Sequence, residues 1–179
     1  MTKYNEIIYE IASDKFGLIT SNEAQEAGVS NNELVQYACR GRLERLGYGL
    51  YRLTQRTPEA NDSYAVAVAL VDSEAYLYGE GVLGLLNLCP VNPATIPVAT
   101  AKRVRKKLPP YIRLINTKRD HEVKLYDGIP SQSVAEAIQA CMLTVIPERL
   151  VSATKLALAE GYITKKEHDK LLKELKELA

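Results

Sequence analysis

The chain has 179 residues with 46% hydrophobic and 25% charged side chains, the balance of a globular fold rather than a disordered or fibrous one. No apolar run approaches the ~18 residues a membrane-crossing helix needs, and Met1 to Glu6 lacks the charged-then-apolar layout of a signal peptide, so a cytoplasmic protein without membrane contact is expected. The net charge of +1 hides a segregation: residues 1–56 carry 7 basic and 7 acidic groups, 57–100 carry 5 acidic groups and no Lys or Arg, and 101–119 carry 8 basic groups and no acid.

In chain order, Tyr4, Ile7, Ile8, Ile11 and Ala12 recur at helical spacing and predict a first helix over about 3–16, with Gly17 as its stop. Thr20 or Ser21 caps a short second helix, 22–27, with Glu23 in its first turn. Gly28 supplies the unrestricted backbone of a tight turn, and Val29 plugs the gap between helices. Ser30 with Glu33 forms a capping-box pattern at the head of a third helix, 31–40, whose apolar side is read as Leu34, Val35 and Ala38. Residues 43–46 and 50–53 alternate around Gly47-Tyr48-Gly49, the signature of a β-hairpin. Helix, turn, helix and hairpin in this order, within about 55 residues, predict a winged helix-turn-helix over 1–56.

A polar stretch around Pro58 and Asn61 then links to a second region, 62–179. There the pattern predicts a buried helix over 63–71, a short extended piece at 76–78, a helix over 80–88, and strands at 95–100, 111–116 and 123–126. Asp127-Gly128 marks a turn, Ser131 or Ser133 starts a helix reaching about 143, and two terminal helices follow over 147–160 and 165–178. The fold class is therefore α+β: an N-terminal winged helix-turn-helix, then a mixed α/β domain with terminal helices. Leu171, Leu172, Leu175 and Leu178 form one stripe of the last helix, a packing surface for this chain or for a second copy.

Cysteines 39, 89 and 141 stand too far apart for a metal knuckle and read as buried thiols; neither histidine, His121 or His168, lies near them, so no metal or cofactor is expected. His121 falls in a charged stretch with Asp120 and Glu122, and His168 in a Lys/Glu helix. Gly79, Gly81 and Gly84 lack the strand and Lys pattern of a phosphate loop, and no nucleophile motif occurs, so the chain is not expected to be an enzyme.

The exposed side of the third helix offers Ser30, Asn31, Asn32, Gln36, Tyr37 and Arg40. Asn and Gln bond adenine edges, Arg reads guanine, and Tyr reaches phosphate or a thymine methyl. The hairpin adds Arg42, Arg45, Tyr48 and Arg52 for phosphate or a narrow minor groove, with Arg45 and Arg52 preferred because alternation turns the arginines different ways. Between Arg40 and Arg56 stand five arginines and one acid, Glu44. Double-stranded DNA is the expected partner, and Lys102, Arg103, Arg105, Lys106 and Lys107 form an auxiliary basic segment, extended by Arg113, Lys118 and Arg119. The same residues also suit a solvated loop or a protein-contact surface.

Gly17 to Thr20, Glu23-Ala24, Ala27 to Ser30 and above all Arg40 to Leu53 resemble the N-terminal domain of AbiEi-type antitoxins, with pattern-level similarity through Tyr76 to Leu88, Ile96-Pro97-Val98 and Gly128-Ile129-Pro130. This resemblance implies a winged-helix autorepressor binding inverted repeats in the promoter of its own operon, in a type IV toxin–antitoxin or abortive infection system; a homodimer on DNA is the assembly in which the terminal leucine stripe meets a second copy. The resemblance also implies a nucleotidyltransferase-like toxin that the antitoxin opposes. Two departures fall in the second region. Ser131-Gln132-Ser133 replaces the expected Thr/Ser-Pro turn, and Glu136 is the one candidate for the usual acidic residue of the following helix. A winged-helix regulator with an unrelated ligand- or partner-sensing domain, or a protein-interaction module, are the alternatives.

Overall fold

A computed structural model describes residues 3–91, 94–118 and 122–178, and divides the chain into two compact units, Met1–Leu70 and Val71–Ala179. Both mix helices with sheet. The division falls later than the polar link at 57–61, because the helix after that link packs onto the first unit.

The first unit runs α1 (Lys3–Ser13), β1 (Leu18–Thr20), α2 (Ser21–Glu26), α3 (Asn31–Cys39), β2 (Leu43–Gly47), β3 (Leu50–Leu53) and most of α4 (Asp62–Val71). α1 stops at Ser13, short of the expected 16, with Phe16 and Gly17 both at positive φ. The head of α2 is fixed by a full capping box: the Glu23 amide donates to the Thr20 hydroxyl while the Glu23 carboxylate accepts from the Thr20 amide. Ser30 and Glu33 repeat the device at the head of α3. Between them Gly28 sits at φ +84°, a left-handed turn that side chains with a Cβ rarely adopt.

The three strands form an antiparallel sheet in the order β1-β3-β2. Ile19, Tyr51, Leu53 and Leu43 share its front face and join Ile8, Ala12, Ala24, Val29, Leu34 and Tyr37 in one core beneath α1, α2 and α3. Leu18 and Leu50 lie on the back face, also buried, together with the paired residues Glu44 and Arg52. α4 covers this back: Asp62 faces Arg52, and Leu70 lies so close to Gly47 that a Cβ there would approach its Cδ2 to 2.5 Å.

The second unit contains β4 (Tyr76–Leu77), α5 (Glu80–Leu85), β5 (Ile96–Thr100), β6 (Ile112–Asn116), β7 (Val123–Tyr126), β8 (Ile129–Gln132), α6 (Val134–Ala140), α7 (Pro147–Ala159) and α8 (Lys165–Leu178). Its mixed five-stranded sheet has the order β6-β5-β4-β8-β7, with β5 parallel to β6, β4 parallel to β8, and the other pairs antiparallel. β8 occupies residues read from sequence as the approach to a helix. Ser133 caps that helix, accepting from the Glu136 amide. Gly79 enters α5 at φ 47°, ψ −117°, which only glycine adopts readily, and its amide donates to the buried Gln132 carboxamide oxygen at 3.1 Å. α5 ends at Leu85, short of the expected 88, and Asn87 turns left-handed beyond it. Leu171 and Leu175 of the terminal stripe are buried and Leu172 is half-buried, in a helix packed against α6 and α7. Among the described residues, no helix is long and apolar enough to cross a membrane.

The cysteine reading needs one correction. Cys89 and Cys141 are buried, and burial pushes the Cys141 thiol up to about 12, but Cys39 is exposed because it lies on the outer face of α3. His168 is buried, with its Nδ1 2.8 Å from the Asp169 carboxylate. Arg119, Asp120 and His121 lie outside the described residues.

Candidate nucleic-acid interface

α3 turns Leu34 and Tyr37 into the core and leaves Asn31, Asn32, Val35, Gln36, Cys39 and Arg40 exposed on the opposite side. Residues at this spacing cover the outer half of a helix of 3.6 residues per turn. Two sequence assignments on this helix are therefore corrected. Tyr37, read as an outward contact residue, is 7% exposed and packs in the core. Val35, read as core, is 45% exposed among the polar residues. Both residues suit either side by composition. What separates them is phase: Leu34 fixes the inward direction, and Tyr37 lies nearer to it around the helix than Val35 does.

Ser30 is exposed, but its hydroxyl accepts from the Glu33 amide and bonds the Glu33 carboxylate at 3.0 Å, so it is already engaged in holding the head of α3. The cap also ties up the one acid of this helix.

The cations follow the faces of the hairpin. Arg42 is exposed beyond the end of α3, its guanidinium 5.7 Å from the Tyr37 ring centroid, a distance at which cation and ring attract. Arg45 is exposed at an irregularity of β2, its Nε–H reaching the Gly47 carbonyl at 3.4 Å. Tyr48 stands at the hairpin tip, 78% exposed. Among the described residues, Arg40, Arg42 and Arg45 have no carboxylate partner.

Arg52 differs. It sits across from Glu44 on the back of the sheet, 2.7 Å from that carboxylate and 3.9 Å from Asp62. Arg52, preferred with Arg45 in the sequence reading, thus has its guanidinium engaged by acids on the back of the sheet, whereas Arg42 lies on the exposed edge beyond α3. Arg56 joins the same cluster, 2.7 Å from both Asp62 and Glu59, with its guanidinium over the Phe16 ring; its hydrogen bond to Asp62 leads in raising its pKa. Of the five arginines between 40 and 56, the two held by acids serve α4, and the three without acids lie along α3 and the hairpin. The acids Glu33 and Glu44 are both spent on internal partners, which is how a charge-balanced region presents a basic edge.

The auxiliary basic segment belongs to the second unit. Lys102 is held 2.8 Å from Glu74, and its amide donates to Thr100, whose hydroxyl bonds Asp72. Arg103, Arg105 and Lys107 are exposed and Lys106 is half-buried, in chain without regular structure between β5 and β6.

The first unit is thus a small α+β module, with α1, α2 and α3 on the front of a three-stranded antiparallel sheet, α4 on its back and a polar and cationic outer edge. Residues 6–54 match a family model described as "Transcriptional regulator, AbiEi antitoxin", the family the sequence resembles. The match does not extend over the stretch to residue 145 where the resemblance is one of pattern. A search of the curated proteins finds no match. Among solved structures, the chain is similar to the crystal structure of RV2827C protein from Mycobacterium tuberculosis, at 14% identity, covering 96% of this chain and 81% of that one, with a TM-score of 0.42.

Proposed function

We propose that this chain is a DNA-binding transcriptional autorepressor and the antitoxin of a type IV toxin–antitoxin system, opposing a nucleotidyltransferase-like toxin. In this reading residues 1–56 supply a winged helix-turn-helix, with α2 and α3 as the helix pair and β2 and β3 as the wing, and residues 62–179 supply the antitoxin region. The observation that carries it is the outer face of α3. Asn31, Asn32, Gln36 and Arg40 stand clear of the core there, and Arg42 and Arg45, which have no carboxylate partner among the described residues, continue the same edge. A helix in the major groove reads base edges with residues of these types, and arginines beside it grip phosphates. The family match over residues 6–54 supports the regulator and antitoxin roles. The operator is expected to be an inverted repeat upstream of the chain's own gene, bound by a homodimer, and the protein to act in the cytoplasm without a cofactor.

The test is a fluorescence-anisotropy titration of the full chain against that upstream DNA at two salt concentrations, with Arg40→Ala and Arg45→Ala beside the wild type. Specific binding that both substitutions weaken is the expected result. Each lost phosphate contact should also flatten the salt slope by about 0.9. No specific binding, or binding indifferent to both changes, would overturn the reading and leave a protein-contact module as the better account.

A further inference from the structure

Val35 is the one aliphatic side chain on the outer face of α3. It stands one turn after Asn31 and one turn before Cys39, beside Asn32 and Gln36. Leu34 and Tyr37 take the inward side of the same helix and are almost fully enclosed, while Val35 is turned away from that side. Nearly half its surface is open to water, on a face whose other large residues all carry hydrogen-bonding groups or charge. An aliphatic residue so placed stands outside the buried core cluster, with a large part of its apolar surface in water.

We infer that Val35 reads the 5-methyl group of a thymine, which makes it a specificity-determining residue of the DNA interface; the inference rests on the DNA-binding reading of α3 proposed above. In the major groove thymine is the base that offers an apolar group, and an aliphatic side chain is its natural complement. The flanking Asn31, Asn32 and Gln36 carry the carboxamides that pair with adenine N6 and N7. A face combining carboxamides with one aliphatic group therefore selects A·T pairs at adjacent positions, with Arg40 at its far end suited to a guanine. An acidic peptide would be drawn to the cations at the edge of this face and not to its middle turn, where Val35 stands.

The experiment separates this assignment from the reading beneath it. Duplexes are recovered by in vitro selection from a randomised pool with the full chain, and each thymine of the enriched site is then replaced by 2′-deoxyuridine, which deletes the methyl and nothing else. One position per half-site should lose about fourfold in affinity, the worth of one methyl withdrawn from water. Val35→Ala should lose a similar factor on the thymine duplex and become indifferent to uridine there. Because the base change leaves the protein intact, the uridine series stands whatever the variant does to folding. If sequences are enriched but no uridine position matters, or the loss persists undiminished in Val35→Ala, the assignment of Val35 is overturned while DNA reading by α3 stands. If no sequence is enriched, the reading of α3 fails and this assignment fails with it.

Discussion

Gln36 and Tyr37 are neighbours in sequence with opposite surroundings, and substituting them one at a time separates the proposed DNA-contact residue from a packing residue. Tyr37 closes the core formed by Leu34, Leu43, Tyr51 and the inward residues of α1, and its ring also carries the Arg42 guanidinium. Removing a buried aromatic side chain costs about 3–5 kcal/mol, and the lower end applies here because the ring sits at the rim of the core. For a unit of this size each kcal/mol moves the midpoint by about 4–8 °C, so Tyr37→Ala should lower the Tm of the first unit by about 12–24 °C. Against a typical total stability of about 5–15 kcal/mol, the variant remains mostly folded in the cold. Gln36→Ala removes a solvated side chain and should stay within ~0.5 kcal/mol of wild type. Differential scanning calorimetry of the full chain reads both, with anisotropy titrations on the same samples. Tyr37→Phe, which keeps the ring, should recover most of the lost stability. The reasoning is refuted if Tyr37→Ala melts with the wild type and loses only DNA affinity, for the ring would then face the ligand and not the core.

Three further outcomes follow from the same structure. Ser30→Ala should destabilise by about 1 kcal/mol in urea melts and Ser30→Gly by only a few tenths, since glycine is tolerated at an N-cap; a loss of DNA affinity in the glycine variant without loss of stability would instead make the hydroxyl a direct contact. Burial pushes the Glu23 carboxyl up, but hydrogen bonds from Lys15 and from the backbone and hydroxyl of Thr20 outweigh it and hold its pKa below the ordinary glutamate range. A lowered folded pKa contributes stability that is complete above the ordinary glutamate range and is lost as pH falls through the depressed value, so the urea midpoint should fall as pH drops below that range, and less steeply in Glu23→Gln. Reversing the charges of Lys102, Arg103, Arg105 and Lys106 should reduce the salt slope of DNA binding, with Lys102 contributing least because Glu74 already holds it; an unchanged slope would exclude this segment from the interface.

Much of the first unit was legible because its signals are local. Thr20/Glu23 and Ser30/Glu33 are capping boxes recognisable at a fixed spacing of three residues, and the hairpin is announced by glycines between alternating strands. What escaped were decisions made by tertiary contacts. Val35 and Tyr37 exchange the places their hydrophobicity implied because Leu34 sets the phase of α3. Arg52 reads like its neighbours until strand pairing sets it opposite Glu44 and α4 brings Asp62. β8 was missed because Ser131, Gln132 and Ser133 look like a turn and a cap. Two of them are instead fully enclosed strand residues whose polar groups find partners, Ser131 on the Ile129 carbonyl and Gln132 on the Gly79 amide. A buried polar strand carries no alternation for sequence reasoning to detect.

The back of the first sheet has a practical consequence for anyone who wants that unit by itself. Cutting at residue 56 follows the sequence boundary, yet it removes Asp62 from Arg52 and Arg56 and strips Leu70 from Gly47. Two guanidiniums would then lose their buried counter-ion, and the back of the sheet would lose the side chain that packs on Gly47. Such a fragment should be poorly soluble and prone to self-association for reasons unrelated to its ligand. The transferable piece for a fusion, a chimera with another effector, or solution spectroscopy ends after α4, and a swap of second units between relatives should exchange the chain beyond residue 71.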